Sequence, residues 1–168
     1  MRSIKQVTEQ RDIQAVAELA NEIWNEYFVD IIGQAQVDYM LGHYQSVSAI
    51  TAQLESGQEY YLLKLDSRLV AYLSLISDSP RDRMMISKLY VTQAIRGEGI
   101  GLYLLDFVKD QCKRKGLHSI WLTVNRHNQP TIDWYLRRGF KVTAETRKDI
   151  GEGYFMDDFI MVMHLDNN

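Results

Sequence analysis

The stretch Arg96-Gly97-Glu98-Gly99-Ile100-Gly101 is the part of this sequence best suited to hold an anion. Glycines let successive backbone N–H groups converge on a ligand without Cβ atoms in the way. A strand-like run at 84–91 precedes it and a helix-period run at 99–115 follows, so the new helix adds unpaired N–H groups and the positive end of its dipole. Together these features make a cradle for phosphate, with Arg96 as a fixed positive charge at the rim. The plainer alternative is a structural strand-to-helix turn. A P-loop needs G-x-x-x-x-G-K-[ST], which is absent. A dinucleotide turn needs Gly or Ala where Leu102 stands, and an acid about 20 residues on for the ribose. From Gln111 through Ile132 there is no Asp or Glu, which disfavours a nicotinamide-linked oxidoreductase. A second group of residues lies downstream. Asn128 and Tyr135 are seven apart on a predicted helix and share a face, where a tyrosine could donate a proton. The alternative there is that Tyr135 packs on a sheet and Asn128 caps the helix.

These residues need elements to position them. Residues 3–7 read as a first strand. Thr8 offers an N-cap, with Glu9 and Asp12 in the first turn, and Ile13, Val16, Ala17, Ala20, Ile23, Trp24 and Tyr27 recur at the spacing of one helix face. Gly33 opens a second helix through Val37 and Met40, and Ser46-Val47-Ser48 caps a third that ends at Gly57. The period then changes to that of strand, turn and strand over 60–65, Asp66-Ser67 and 69–76. A buried strand (84–91), a helix (99–115) closed by Gly116, a strand (118–124), a helix (128–138) closed by Gly139, and closing strands at 140–146 and 154–164 complete the chain. The expected fold is mixed α/β: a largely antiparallel sheet of about seven strands with a parallel βαβ element, flanked by four or five helices, in a single domain over 1–168.

Composition narrows the functional classes. Hydrophobic residues make up 46% and charged residues 24% of the 168, close to an average globular protein. No apolar run approaches the roughly 20 residues of a membrane span, and the N-terminus lacks the apolar core of a secretory signal. One cysteine, Cys112, excludes an internal disulfide and speaks for a reducing, cytoplasmic setting. His43, His118, His127 and His164 show no paired ligand spacing, so no metal is expected. The net charge of -3 conceals a pattern: residues 1–60 carry -6, 81–148 carry +8 and 149–168 carry -5. One reading is chance clustering on solvated faces; the other is an anion at the middle segment and a cation at the flanks. A nucleic-acid binder would be more basic overall.

Arg96-x-x-Gly99-x-Gly101 after Leu89-Tyr90-Val91, followed by Asn128, Tyr135 and Gly139-Phe140, resembles the two motifs of the GNAT superfamily of N-acetyltransferases. The opening helices and the acidic stretch 149–158 resemble bacterial members near the spermidine/spermine-type enzymes. The resemblance implies a GNAT fold, with a sheet splayed between the Val91 and Trp121 strands where acetyl-CoA enters. It implies that the backbone of Leu89 and Val91 pairs with the pantetheine arm. The amides of Gly97, Glu98, Gly99, Ile100 and Gly101 would hold the diphosphate, with Arg96 beside them. Asn128 would contact pantetheine, and Tyr135 would protonate the departing thiolate. The implied reaction is direct transfer of an acetyl group to a primary amine, with acetyl-CoA as donor and no metal. A polyamine, a small amine or a peptide N-terminus is the expected acceptor, and neither nucleic acid nor membrane is an expected partner. The closing strands could pair two copies into a homodimer.

One departure stands out. Relatives often carry a Glu on the central strand to accept the amine proton, and here that region offers Ser87 and Lys88. Glu26, Asp30, His43 or Asp157 could substitute. Without a base, the alternative is a weakly catalytic or non-catalytic acyl-CoA sensor or interaction domain.

Overall fold

Residues 1–166 are described by the computed structural model of the protein. The first strand, β1 (Arg2–Gln6), is followed by helix α1 (Gln10–Tyr27), whose buried stripe is Ile13, Val16, Leu19, Ala20, Ile23 and Trp24. The cap of α1 is Glu9 rather than the expected Thr8. The Asp12 carboxylate accepts the backbone N–H of both Thr8 and Glu9 at 3.3 Å and the Lys5 ammonium at 3.0 Å, so the acid in the first turn closes the helix end. Three more helices follow: α2 (Val29–Ile32), α3 (Gln34–Tyr44) and α4 (Val47–Glu55). Ser46 caps α4 as expected, accepting from the Ala49 N–H at 3.2 Å. The one-turn α2 is the element that pattern alone did not separate, and it brings the α-helices among the described residues to six.

Strands β2 (Glu59–Leu65) and β3 (Arg68–Asp78) form a hairpin. Its turn residues, Asp66 and Ser67, have φ of 49° and 72°, the left-handed pair that matches the twist of two adjacent strands. Strand β4 (Arg83–Val91) leads through a short 3₁₀ turn (Gln93–Ile95) to α5 (Ile100–Lys115), and β5 (Ser119–Asn125) leads to α6 (Gln129–Arg137). The chain closes with β6 (Lys141–Gly151) and β7 (Tyr154–His164). The seven strands form one sheet in the order β1-β2-β3-β4-β5-β7-β6. Every pairing described is antiparallel except β4 with β5, which is parallel at Met84↔Ile120 and Met85↔Trp121.

The chain divides into two compact units, Met1–Ile76 with Lys88–Phe107, and Ser77–Ser87 with Val108–Asn168. In the first, Val16, Ile23, Ile50, Tyr60, Leu63, Tyr72 and Leu73 are fully shielded from water. Trp24 and Phe28 belong to this core; their rings stack at 4.3 Å and both pack on Tyr90. In the second, Ile120, Leu122 and Val124 of β5 and Met161 and Met163 of β7 share one buried face of the sheet, and Ile132 and Tyr135 of α6 and Phe140 beyond it are buried too. Cys112 is buried, which raises its thiol to about 11. Among the described residues, no helix is long and apolar enough to cross a membrane.

Candidate active site

The glycine turn lies wholly in the first unit. Gly97 and Gly99 adopt φ of +86° and +79°, a region that side-chain-bearing residues rarely enter. A Cβ at Gly97 would meet nothing within 4 Å, and one at Gly99 would approach only the Arg2 guanidinium at 3.7 Å. The inner side of the turn is therefore open, which is the space a phosphate group would need. The Gly99 carbonyl accepts the Tyr103 N–H at 3.0 Å, the first bond of α5, so the amides at 99–101 are those that a helix start leaves unpaired. This arrangement fits a diphosphate.

Two arginines flank the turn. Arg96, expected at the phosphate rim, donates to the Val91 carbonyl at 3.3 and 3.4 Å and lies 4.2 Å over the Tyr27 ring. It thus ties the end of β4 to α1 while staying exposed. The Val91 carbonyl, part of the backbone expected to pair with pantetheine, is engaged by that guanidinium. Arg2 went unnoticed in the sequence. It donates to the Glu98 carbonyl at 3.0 Å and lies over the Tyr103 ring at 5.2 Å. It brings a second cation to the same loop from 96 residues away in sequence.

Lys88 is only 7% exposed. Its ammonium donates to the Tyr44 carbonyl, to the Tyr60 hydroxyl and, at 3.0 Å, to the Gln53 side-chain oxygen. Three N–H donors meet three acceptors, none of them charged, so burial lowers the Lys88 ammonium to about 7. Lys88 braces β4 against α3, α4 and β2, immediately before Leu89.

The second unit holds Asn128, Tyr135 and the closing strands. Asn128 takes the N-cap position of α6, but its side chain makes no cap hydrogen bond. It is 4% exposed, and its backbone N–H donates to the Asn125 carbonyl at 2.9 Å. Tyr135 is 6% exposed, with the Trp134 and Phe140 rings edge-on at 5.1 Å each. Burial pushes its phenol well up, so it stays protonated. Among the described residues its hydroxyl has no hydrogen-bond partner. A protonated, unengaged phenol is what donation to a thiolate requires.

The substitutes for a central-strand base fare differently. Glu26 and Asp30 are exposed on α1 and α2, and His43 is exposed and stacked on Tyr39 at 4.1 Å. Asp157 is bound to Arg126 at 2.9 Å. Its neighbour Asp158 was not singled out, yet it is the buried carboxyl, 4% exposed. Burial and the adjacent Asp157 raise it to about 6, against the Thr123 hydroxyl and Arg126. Burial and the Arg126 ion pair distinguish the two aspartates, and both depend on which neighbours the sheet brings to each face. Among the described residues, no group of three or more His, Cys, Asp or Glu could hold a metal ion.

A family model described as the acetyltransferase (GNAT) family matches residues 15–140. An uncharacterised N-acetyltransferase of Mycobacterium tuberculosis (strain ATCC 25618 / H37Rv) is 32% identical over 100 residues, and the match spans 60% of this chain and 63% of that relative. Among solved structures, the PaiA N-acetyltransferase from Thermoplasma acidophilum in complex with coenzyme A superposes with a TM-score of 0.75 at 22% identity, covering 96% of this chain and 99% of that one. A GCN5-related N-acetyltransferase from Rhodopseudomonas palustris superposes with a TM-score of 0.82 at 17% identity, covering 98% and 96%. The expected fold is therefore the observed one.

Proposed function

The chain belongs to the acetyltransferase (GNAT) family, and on that premise we propose that it transfers an acetyl group from acetyl-CoA to a primary amine by direct attack. The observation that carries this reading is the open turn at Gly97 and Gly99, whose positive φ angles line up the amides that start α5. Those amides would hold the diphosphate of the donor. Asn128 would bind the pantetheine amides, and the N–H of Val91 would stabilise the charge that grows on the thioester oxygen. Tyr135, protonated by virtue of its burial, would supply the proton that the thiolate takes up on leaving. The relative from Thermoplasma acidophilum, solved with coenzyme A, supports the choice of donor.

We read the two units as halves of one acetyltransferase domain, because the family model runs across both. The acidic segments 1–60 and 149–168 favour a cationic acceptor, such as a polyamine, a small amine or a peptide N-terminus. A single buried cysteine suits a reducing, cytoplasmic setting. A homodimer through the closing strands would pair the outer edge of β6, which carries Lys141, Glu145, Arg147, Lys148 and Asp149, so its register would have to match opposite signs.

The test is thiol release from acetyl-CoA across a panel of amines. Stimulation by one or more of them is the expected result. Binding of coenzyme A without release for any amine would make the protein a sensor, and tight binding of NADH in place of coenzyme A would end the acetyltransferase reading.

A further inference from the structure

We propose that Asp158 is the group that takes the proton from the acceptor amine. The inference rests on the acetyltransferase reading above and supplies the base that β4 lacks. Asp158 stands on β7 directly opposite Asn125 of β5, and Ile160 stands opposite Thr123. Directly opposed residues share a face of a sheet, as do alternate residues along a strand. The carboxyl therefore lies on the face of Thr123 and Asn125. The other face carries Ile120, Leu122, Val124, Met161 and Met163, and it is the one α6 covers: a Cβ at Gly139, just past that helix, would meet the Met163 sulfur at 3.7 Å. Tyr135 lies on the buried side of α6. Acid and base thus occupy opposite faces of one sheet edge. Placed together, a phenol and a carboxylate would bind each other; placed apart, each can serve a different atom of the reacting pair.

The surroundings of Asp158 suit a proton acceptor. It is 4% exposed and, among the described residues, has no salt bridge of its own. Arg126, the cation that acts on it, is committed to Asp157 at 2.9 Å and Glu145 at 3.6 Å. On β6, uncharged Thr146 stands opposite it, between Glu145 and Arg147, and Thr123 of β5, whose hydroxyl favours the charged carboxylate, shares its face. Desolvation and Asp157 raise the group to about 6, so it is ionised at neutral pH and a better proton acceptor than a solvated carboxylate.

The step balances as follows. The acceptor ammonium gives one proton to Asp158 and becomes the free amine. Its lone pair forms the C–N bond to the thioester carbon. The C–S bond then breaks, and the thiolate takes a proton from Tyr135. The amide nitrogen loses its surplus proton, which restores the phenol through solvent, and Asp158 releases its own to solvent. The sum is ammonium plus acetyl thioester giving acetamide, thiol and one proton.

The experiment compares the wild type with Asp158→Asn, which keeps shape and removes the charge. For an alkylamine, kcat/KM is expected to fall about 10²–10⁴-fold, with affinity for coenzyme A unchanged by calorimetry. The acid limb of the wild-type profile, near pH 6, should disappear. A hydrazide, already neutral at pH 7, should lose far less, a contrast that a purely structural role would not produce. Should Asp158→Asn not fold, Thr123→Val serves instead: loss of the hydroxyl should move the acid limb to higher pH. An alkylamine rate and acid limb unchanged in Asp158→Asn, or an unmoved limb in Thr123→Val, overturns the assignment of Asp158 while leaving the acetyltransferase reading intact. A wild-type protein that releases no thiol with any amine overturns that reading, and this proposal with it.

Discussion

Replacing Lys88 by Met should change how stability depends on pH. The ammonium is buried among uncharged acceptors, and burial lowers it to about 7 from an ordinary 10.5. Between those values the unfolded chain holds a proton that the folded chain has released, so stability rises with pH. The limiting slope is about 1.4 kcal/mol per pH unit. Allowing for partial protonation at the lower end, the gain from pH 7 to 8.5 is about 1.5–2 kcal/mol, or about 3–8 °C in Tm for a chain of this length. The window is clean: Asp158 titrates near 6, and Cys112, raised from 9.0 to about 11, opposes the trend only above it. Met keeps much of the volume and orphans no acceptor. The Tyr44 carbonyl retains the Gln53 amide at 3.2 Å, and the Gln53 oxygen retains the Tyr60 hydroxyl. Urea unfolding followed by tryptophan fluorescence, at half-unit pH steps, should give a rising midpoint for the wild type and a flat one for Lys88→Met. Parallel profiles for the two proteins, or a wild-type midpoint that falls across the window, would refute the reasoning.

Other expectations concern the site itself. Tyr135→Phe should lower kcat by about 10²–10⁴-fold with little change in affinity for coenzyme A; an unchanged kcat at every pH would remove its acid role. Gly99→Val should weaken coenzyme A binding at least tenfold in calorimetry, because φ of +79° resists a β-branched residue and the new side chain would crowd the phosphates. Arg2→Ala should weaken coenzyme A several-fold and flatten the salt dependence of binding, with Arg2→Lys intermediate; equal affinity in all three would limit the Arg2–Glu98 contact to a structural role.

The glycine turn and α6 were legible because local rules produce them: an apolar strand, positive-φ glycines, and a helix face with Tyr135 seven residues after Asn128. Trp24 belonged to the core for the same reason, its place on the apolar face of α1. Other features depend on tertiary placement. β6 was expected only to Thr146 but runs to Gly151; it is an edge strand, exposed along nearly all its length, so no apolar alternation marks its second half. Arg2 meets Glu98 because β1 brings the N-terminus to the turn, across a separation that spacing cannot bridge. Lys88 looked like a missing acid, yet its neutral partners come from α3, α4 and β2. Asp157 and Asp158 are adjacent acids on one strand, and alternation sends one to Arg126 and the other to a buried face.

A crystal structure with coenzyme A bound tests the central claim most directly. The account predicts diphosphate oxygens within about 3 Å of amide nitrogens at 97–101, and the Tyr135 hydroxyl within hydrogen-bond reach of the sulfur. Coenzyme A bound elsewhere with this turn vacant, or a sulfur far from that phenol, would contradict it.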